Sequence, residues 1–140
     1  MTSWLTWSLL SAFFAALTAI LAKLGVAGVD ANVATAIRTS VVVVFTWLIA
    51  SAMRQPDSFQ AFSGKTWLFL VLSGLATGLS WLCYFRALQA GPASRVAPID
   101  KLSVALVIVL GAAFLGERLT WSKALGGLLI VAGAITIALE

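Results

Sequence analysis

Residues 96–115 read VAPIDKLSVALVIVLGAAFL, and their length and opening charges govern how the remaining sequence is read. From Leu102 onward the stretch carries no charge and a single hydroxyl, Ser103. It is long enough to cross a bilayer core, which takes about 20 mainly apolar residues. At its start Asp100 and Lys101 stand side by side just beyond Pro98. Ionisable side chains at membrane depth are costly and mark candidate functional positions.

Four more segments meet the same length criterion: residues 4–25, 33–53, 66–88 and 122–139. Polar punctuation separates them. Gly25, Gly28 and Asp30 part the first two, with Asp30 or Asn32 as the N-cap of the second. The run Arg54-Gln55-Pro56-Asp57 stops the second, and the polar stretch to Lys65 is the longest loop. Gly91-Pro92-Ala93-Ser94 precedes the fourth, with Ser94 available as a cap, and Gly116-Glu117-Arg118 with Thr120 forms the last turn. The expected fold is all-α, a bundle of five transmembrane helices with antiparallel neighbours, in one domain over residues 1–140. Of the 140 residues 61% are hydrophobic and 10% are charged. Soluble domains average about 25% charged, so this chain is read as a multi-pass protein of the cell membrane.

The net charge of +4 does not indicate nucleic acid, because the basic residues flank apolar runs instead of forming a basic stretch with interleaved aromatics. Cys83 is the only cysteine and histidine is absent, so neither an intrachain disulfide nor a paired-thiol or imidazole metal site is expected. No metal, cofactor or enzymatic nucleophile constellation is foreseen. The first apolar run lacks a basic leader and is too long for a signal-peptide core, so no cleaved signal is expected.

Five spans place the termini on opposite sides. The side of the N-terminus, the 54–65 loop and the 116–122 turn carries Arg54, Lys65, Arg118 and Lys123. The other side carries Lys23, Arg86 and Arg95 near helix ends, with Arg38 and Lys101 deeper. Counted by the positive-inside rule this is close to a tie, so both orientations are expected. Trp4, Trp7, Trp47, Trp67 and Trp121 fall near the first side and read as interfacial anchors. Trp81, with Tyr84 and Phe85, lies in the other half of its span, where lining a ligand and ordinary packing both remain open.

Lys23, Arg38, Arg86, Arg95, Asp100 and Lys101 thus gather on one side of the bilayer. Lys23 and Arg95 have long stems and read as anchors that snorkel to the interface, and Arg86 can do the same. Arg38, Lys101 and above all the short-stemmed Asp100 are the candidates for a buried role. Neighbours in sequence lie about 100° apart on a helix and cannot face each other well, so if both are buried Asp100 is expected to seek Arg38, Arg86 or Lys101 of a partner chain. Pro98 removes a backbone donor near that level. Small residues offer close-packing surfaces at Gly74 and Gly78, at Gly126, Gly127 and Gly133, and along the first span at Ser11, Ala12, Ala15, Ala16 and Ala19.

The stretch from Tyr84 through Ser103, the turn from Phe114 through Thr120 and the glycine-rich run from Gly126 to Gly133 together resemble the EamA-type repeat of the drug/metabolite transporter superfamily. Residues 15–23 and 34–39 extend the likeness over almost the whole chain. The resemblance implies a five-helix repeat that family members usually carry twice in inverted orientation around a substrate cavity. A chain similar to one repeat is therefore expected to pair as an antiparallel homodimer. It implies a secondary transporter, an exporter or permease, for a small-molecule substrate, and the basic excess at depth favours an anionic one. The small multidrug resistance branch relies on a glutamate in its first helix. No carboxylate occurs here before Asp30, so that mechanism does not carry over, and Glu117 resembles the family's helix-end glutamate with a local structural role. The candidates for substrate binding or translocation are Arg38, Asp100, Lys101, Arg86, Trp81 and Tyr84. Flipping of a lipid-linked anionic headgroup and a non-transporting subunit role in a heteromeric complex are the alternatives.

Overall fold

The computed structural model describes residues 3–53 and 62–140. Its elements are α1 (Ser3–Gly25), α2 (Ala31–Ala52), α3 (Gly64–Ala90), α4 (Ala93–Asp100), α5 (Leu102–Phe114) and α6 (Trp121–Ala138). No strand occurs among the described residues. Five segments are long and apolar enough to cross a membrane, with α4 and α5 together forming the fourth, over Ala93–Phe114. The all-α membrane fold read from the sequence is therefore observed. The proposed stop at residues 54–57 lies outside the described residues.

Each helix start has a chemical cause. Asp30 caps α2, its Oδ1 accepting from the backbone N–H groups of Asn32 at 2.9 Å and Val33 at 3.2 Å. Ser63 does the same for α3, its Oγ accepting from Thr66 N–H at 3.2 Å. Thr120 caps α6 through Lys123 N–H at 3.3 Å. The fourth segment departs from expectation. Pro92, in extended backbone, occupies the cap position, and its carbonyl accepts from Arg95 and Val96 N–H at 3.0 and 3.1 Å. Ser94 therefore lies inside α4 and is not its cap.

The fourth span is also not one continuous helix. Pro98 cannot donate to the carbonyl one turn back, and three residues later the chain turns at Lys101, with φ −72° and ψ −6°. Lys101 N–H is shared between the carbonyls of Ala97 at 3.3 Å and Pro98 at 3.1 Å. This three-centre bond is a local tightening from α towards 3₁₀ geometry.

The chain divides into two units, residues 1–23 with 90–140, and residues 24–89. In the first, α4 and α5 both pack on α6. Gly127 is buried, and a Cβ there would stand 3.4 Å from the Ile108 side chain, so a small residue lets α5 and α6 approach. Gly74, Gly78, Gly126 and Gly133 differ, since a Cβ at any of them would meet nothing within 4 Å. Close packing inside the chain accounts for Gly127 and for none of these four. In the second unit Val26 and Leu88 are fully buried, with Ala31, Thr35 and Phe85 also inside.

Large apolar side chains otherwise face outward, from Trp4 to Leu139. In water that surface would be prohibitive; in lipid it is solvated. Several hydroxyls at membrane depth are satisfied on their own helices. Thr35, Thr39 and Ser40 donate to the carbonyls four residues back at 2.7, 2.8 and 3.0 Å, and Thr77 and Thr136 do so at 2.9 and 2.8 Å. No buried side-chain nitrogen or oxygen among the described residues lacks a partner.

Two substitutions test these local causes by equilibrium unfolding in mixed maltoside–SDS micelles. Asp30→Ala removes the acceptor for two N–H groups and is expected to cost about 1 kcal/mol, whereas Asp30→Asn retains most of the stability. Gly116 has φ +68° with open space around it. Gly116→Ala therefore registers backbone strain alone, an expected loss of about 1 kcal/mol.

Candidate functional site

The unit of residues 24–89 holds four of the candidates: Arg38 on α2, and Trp81, Tyr84 and Arg86 on α3. Trp81 and Phe85 are one helical turn apart on α3 and so share a face. The Arg38 guanidinium carbon lies over both rings, 4.1 Å from the Trp81 centroid and 5.6 Å from that of Phe85. Each such contact contributes about 0.5–1 kcal/mol when exposed and roughly 2 kcal/mol when desolvated. Trp81 is thus the platform of a charged group. Tyr84 is half-buried beside Phe85 on the same helix.

Arg86 is tied differently. Its Nη2 donates to Asn32 Oδ1 at 3.1 Å, which joins α3 to the first turn of α2. One turn further, Gln89 Nε2 donates to the carbonyls of Val26 and Val29. These carbonyls belong to the α1–α2 connection, where Gly28 adopts φ +75°. Asn32 was foreseen only as a possible cap and Gln89 not at all. The signal for both is that each is a polar amide at a span end, able to use donor and acceptor together.

The unit's charges do not balance. Among its described residues Asp30 is the only acid, and its carboxylate is committed to the start of α2. Arg38 therefore rests on aromatic rings with no carboxylate among the described residues of its unit paired to it.

In the other unit Asp100 and Lys101 pair with each other, Lys101 Nζ standing 3.2 Å from Asp100 Oδ2. The two side chains meet although neighbours on a helix are expected to face each other poorly. The helix is interrupted at Lys101, so continuous α spacing does not hold there, and the long lysine stem closes the remaining gap. The pair is partly exposed, with 37% of the Asp100 side chain accessible.

Lys23, read as an interfacial anchor, donates from Nζ to the Gly91 carbonyl at 2.8 Å, the cation meeting the negative end of α3. Arg95 is exposed on α4. Glu117 has the local role expected of it, pairing with Lys123 Nζ at 3.1 Å while its carboxyl folds back over the buried Gly111. Among the described residues no three of Asp, Glu and Cys converge to hold a metal ion.

The arrangement places a planar cation on an aromatic platform in one unit and a compact ion pair at a helix break in the other. Both present polar or charged groups able to contact a polar solute.

The comparisons with known proteins agree with a transport role. The chain is 53% identical over 136 residues to a Sinorhizobium protein described as an uncharacterized transporter in the cobO 3′ region, covering 97% of this chain and 96% of the relative. No solved structure gives a significant match. The model of the EamA-like transporter family matches residues 2–139. A chain with five membrane-spanning helices, matched over nearly its whole length in this way, is a multi-pass membrane transporter and belongs to the EamA-like transporter family.

Proposed function

We propose that this protein is a secondary transporter that moves a small anionic metabolite across the cell membrane by alternating access, working as an antiparallel homodimer. The observation that carries the reading is the Arg38 guanidinium, set seven residues into α2 on two aromatic rings, while Asp30, the one acid among the described residues of its unit, is committed to the start of α2. That residue stands roughly 10 Å along the span from the first residue of α2. A cation kept at such a depth is a candidate substrate contact.

Three further points support it. The fourth span is interrupted where Asp100 and Lys101 sit. In membrane proteins, irregular backbone at depth is tolerated where it is buried in protein or lines a cavity. Interrupted helices are also the common setting of transporter binding sites. The Sinorhizobium relative is of one-repeat size too, since the match covers 96% of it. Two copies with opposite orientation would supply the inverted pair that alternating access needs, and the near-tie in flanking charge permits both orientations. Glycines at 74, 78, 126 and 133, open within the chain, are the surfaces such a pair would use.

Arg38, Trp81, Tyr84 and Arg86 form the anion-facing set in this reading. Asp100 with Lys101 forms a second polar station, and Asp100 is the one acid within a span able to exchange a proton.

A thermal-shift screen of metabolites, followed by proteoliposome flux of the compounds that stabilise the protein, tests the proposal. Arg38→Ala and Asp100→Asn are each expected to lower flux at least about tenfold, the loss of roughly 1.4 kcal/mol of interaction. Unchanged flux in both variants would remove these residues from the path. Selective movement of lipid-linked substrates would favour the headgroup flippase instead.

Orientation is a separate test. Reporter tags at the C-terminus are expected to reveal both topologies in comparable amounts. A single fixed orientation would exclude the antiparallel homodimer and require a different partner subunit.

A further inference from the structure

We infer that Arg38 is a receptor for a singly charged oxyanion, a carboxylate or a phosphodiester, docked edge-on against a guanidinium that Trp81 holds in place as a positioning residue. The inference deepens the transport reading and rests on it for the reason an anion would come to this depth.

The geometry assigns the two surfaces of the guanidinium to different tasks. Its central carbon lies over the Trp81 ring, 4.1 Å from the centroid, and 5.6 Å from the Phe85 centroid, which suits contact through the face. The N–H donors of an arginine lie in the guanidinium plane. Contact through the face therefore leaves the rim available for two parallel N–H···O bonds to an oxyanion. Stacking also restrains a side chain that would otherwise swing along the helix towards the interface.

Charge sets the valence. Asp30 is already bonded to two backbone N–H groups, and Arg86 is engaged by the neutral Asn32 amide. A monoanion matches the single charge of the Arg38 guanidinium, which it would neutralise at membrane depth. Carboxylates carried by water and the phosphodiester of an anionic lipid share this chemistry. The test separates them.

Protein with isotope-labelled arginine is prepared in dodecyl maltoside micelles, which offer neither carboxylate nor phosphate. The Arg38 Nε–H resonance is identified by its loss in Arg38→Lys. Sodium benzoate is titrated in one series and dioleoylphosphatidylglycerol in another. We expect a saturable shift of this resonance in at least one series: benzoate marks a water-borne carboxylate, and the lipid marks a headgroup. Trp81→Leu is expected to weaken the binding roughly five- to tenfold, and Trp81→Phe less, because a ring remains.

A resonance unmoved in both series overturns the inference. A shift with unchanged affinity in Trp81→Leu overturns the positioning role of Trp81. Thermal unfolding in the same micelles checks each variant, and Trp81→Phe carries the test should the leucine variant fail to fold. Binding is read here at equilibrium, without flux. A protein that binds but does not transport overturns the transport reading alone, and one that transports while Arg38 ignores both anions overturns this inference alone.

Discussion

Inside a bilayer no water is at hand to satisfy a polar group, so every donor, acceptor and charge within a span must find its partner in the protein. Most features of this chain follow from that constraint. Hydroxyls on α2, α3 and α6 turn back to their own helices. The start of α2 is closed by Asp30, and the end of α3 is met by Lys23. Hydrophobic burial has a smaller part than in a soluble protein, because lipid solvates leucine about as well as another leucine does. The buried set accordingly runs to Ala19, Ala22, Ala31 and Ala134, small residues that let chains approach.

The same constraint governs the charged groups, and the two units meet it by different means. Asp100 and Lys101 neutralise each other at 3.2 Å where α4 gives way to α5, three residues beyond Pro98. Arg38 has no such counter-ion among the described residues of its unit and lies over aromatic rings, a weaker and more directional interaction. A half-exposed ion pair of the first kind is worth little by itself. Its consequence is local: it fixes two polar side chains at the point where the helix is least regular.

Apolar length made the five spans legible in the sequence, and their observed ends lie within a few residues of those read from glycine, proline and cap chemistry. The interruption of the fourth span was only half legible. A proline near a helix start is ordinary, and only the tertiary setting decides whether the turn beyond it stays α-helical. Pairings were harder still. That Arg86 meets Asn32, that Gln89 holds the Val26–Val29 carbonyls and that Arg38 lies on Trp81 all depend on which helices are neighbours and in what rotation. Hydropathy does not record rotation. The spacing of Trp81 and Phe85 was the one local hint, since it defines an aromatic face before any partner is known. The glycines show the same limit: of the five candidates for packing, Gly127 is the one where an added Cβ would meet a neighbouring helix within 4 Å.

The identities of the cations fit what each one meets. Lys23 reaches a single carbonyl and Lys101 a single carboxylate oxygen, and a compact ammonium on a flexible stem suffices for either. Position 38 asks for more, because its side chain must offer a flat face to Trp81 and keep its hydrogen-bonding rim apart from that face. An ammonium has no such separation of face and rim, so lysine there could sit over the ring only by turning donors towards it. Arginine meets both demands with one planar group. Position 38 is thus where the sequence ties a membrane-depth charge to an aromatic surface.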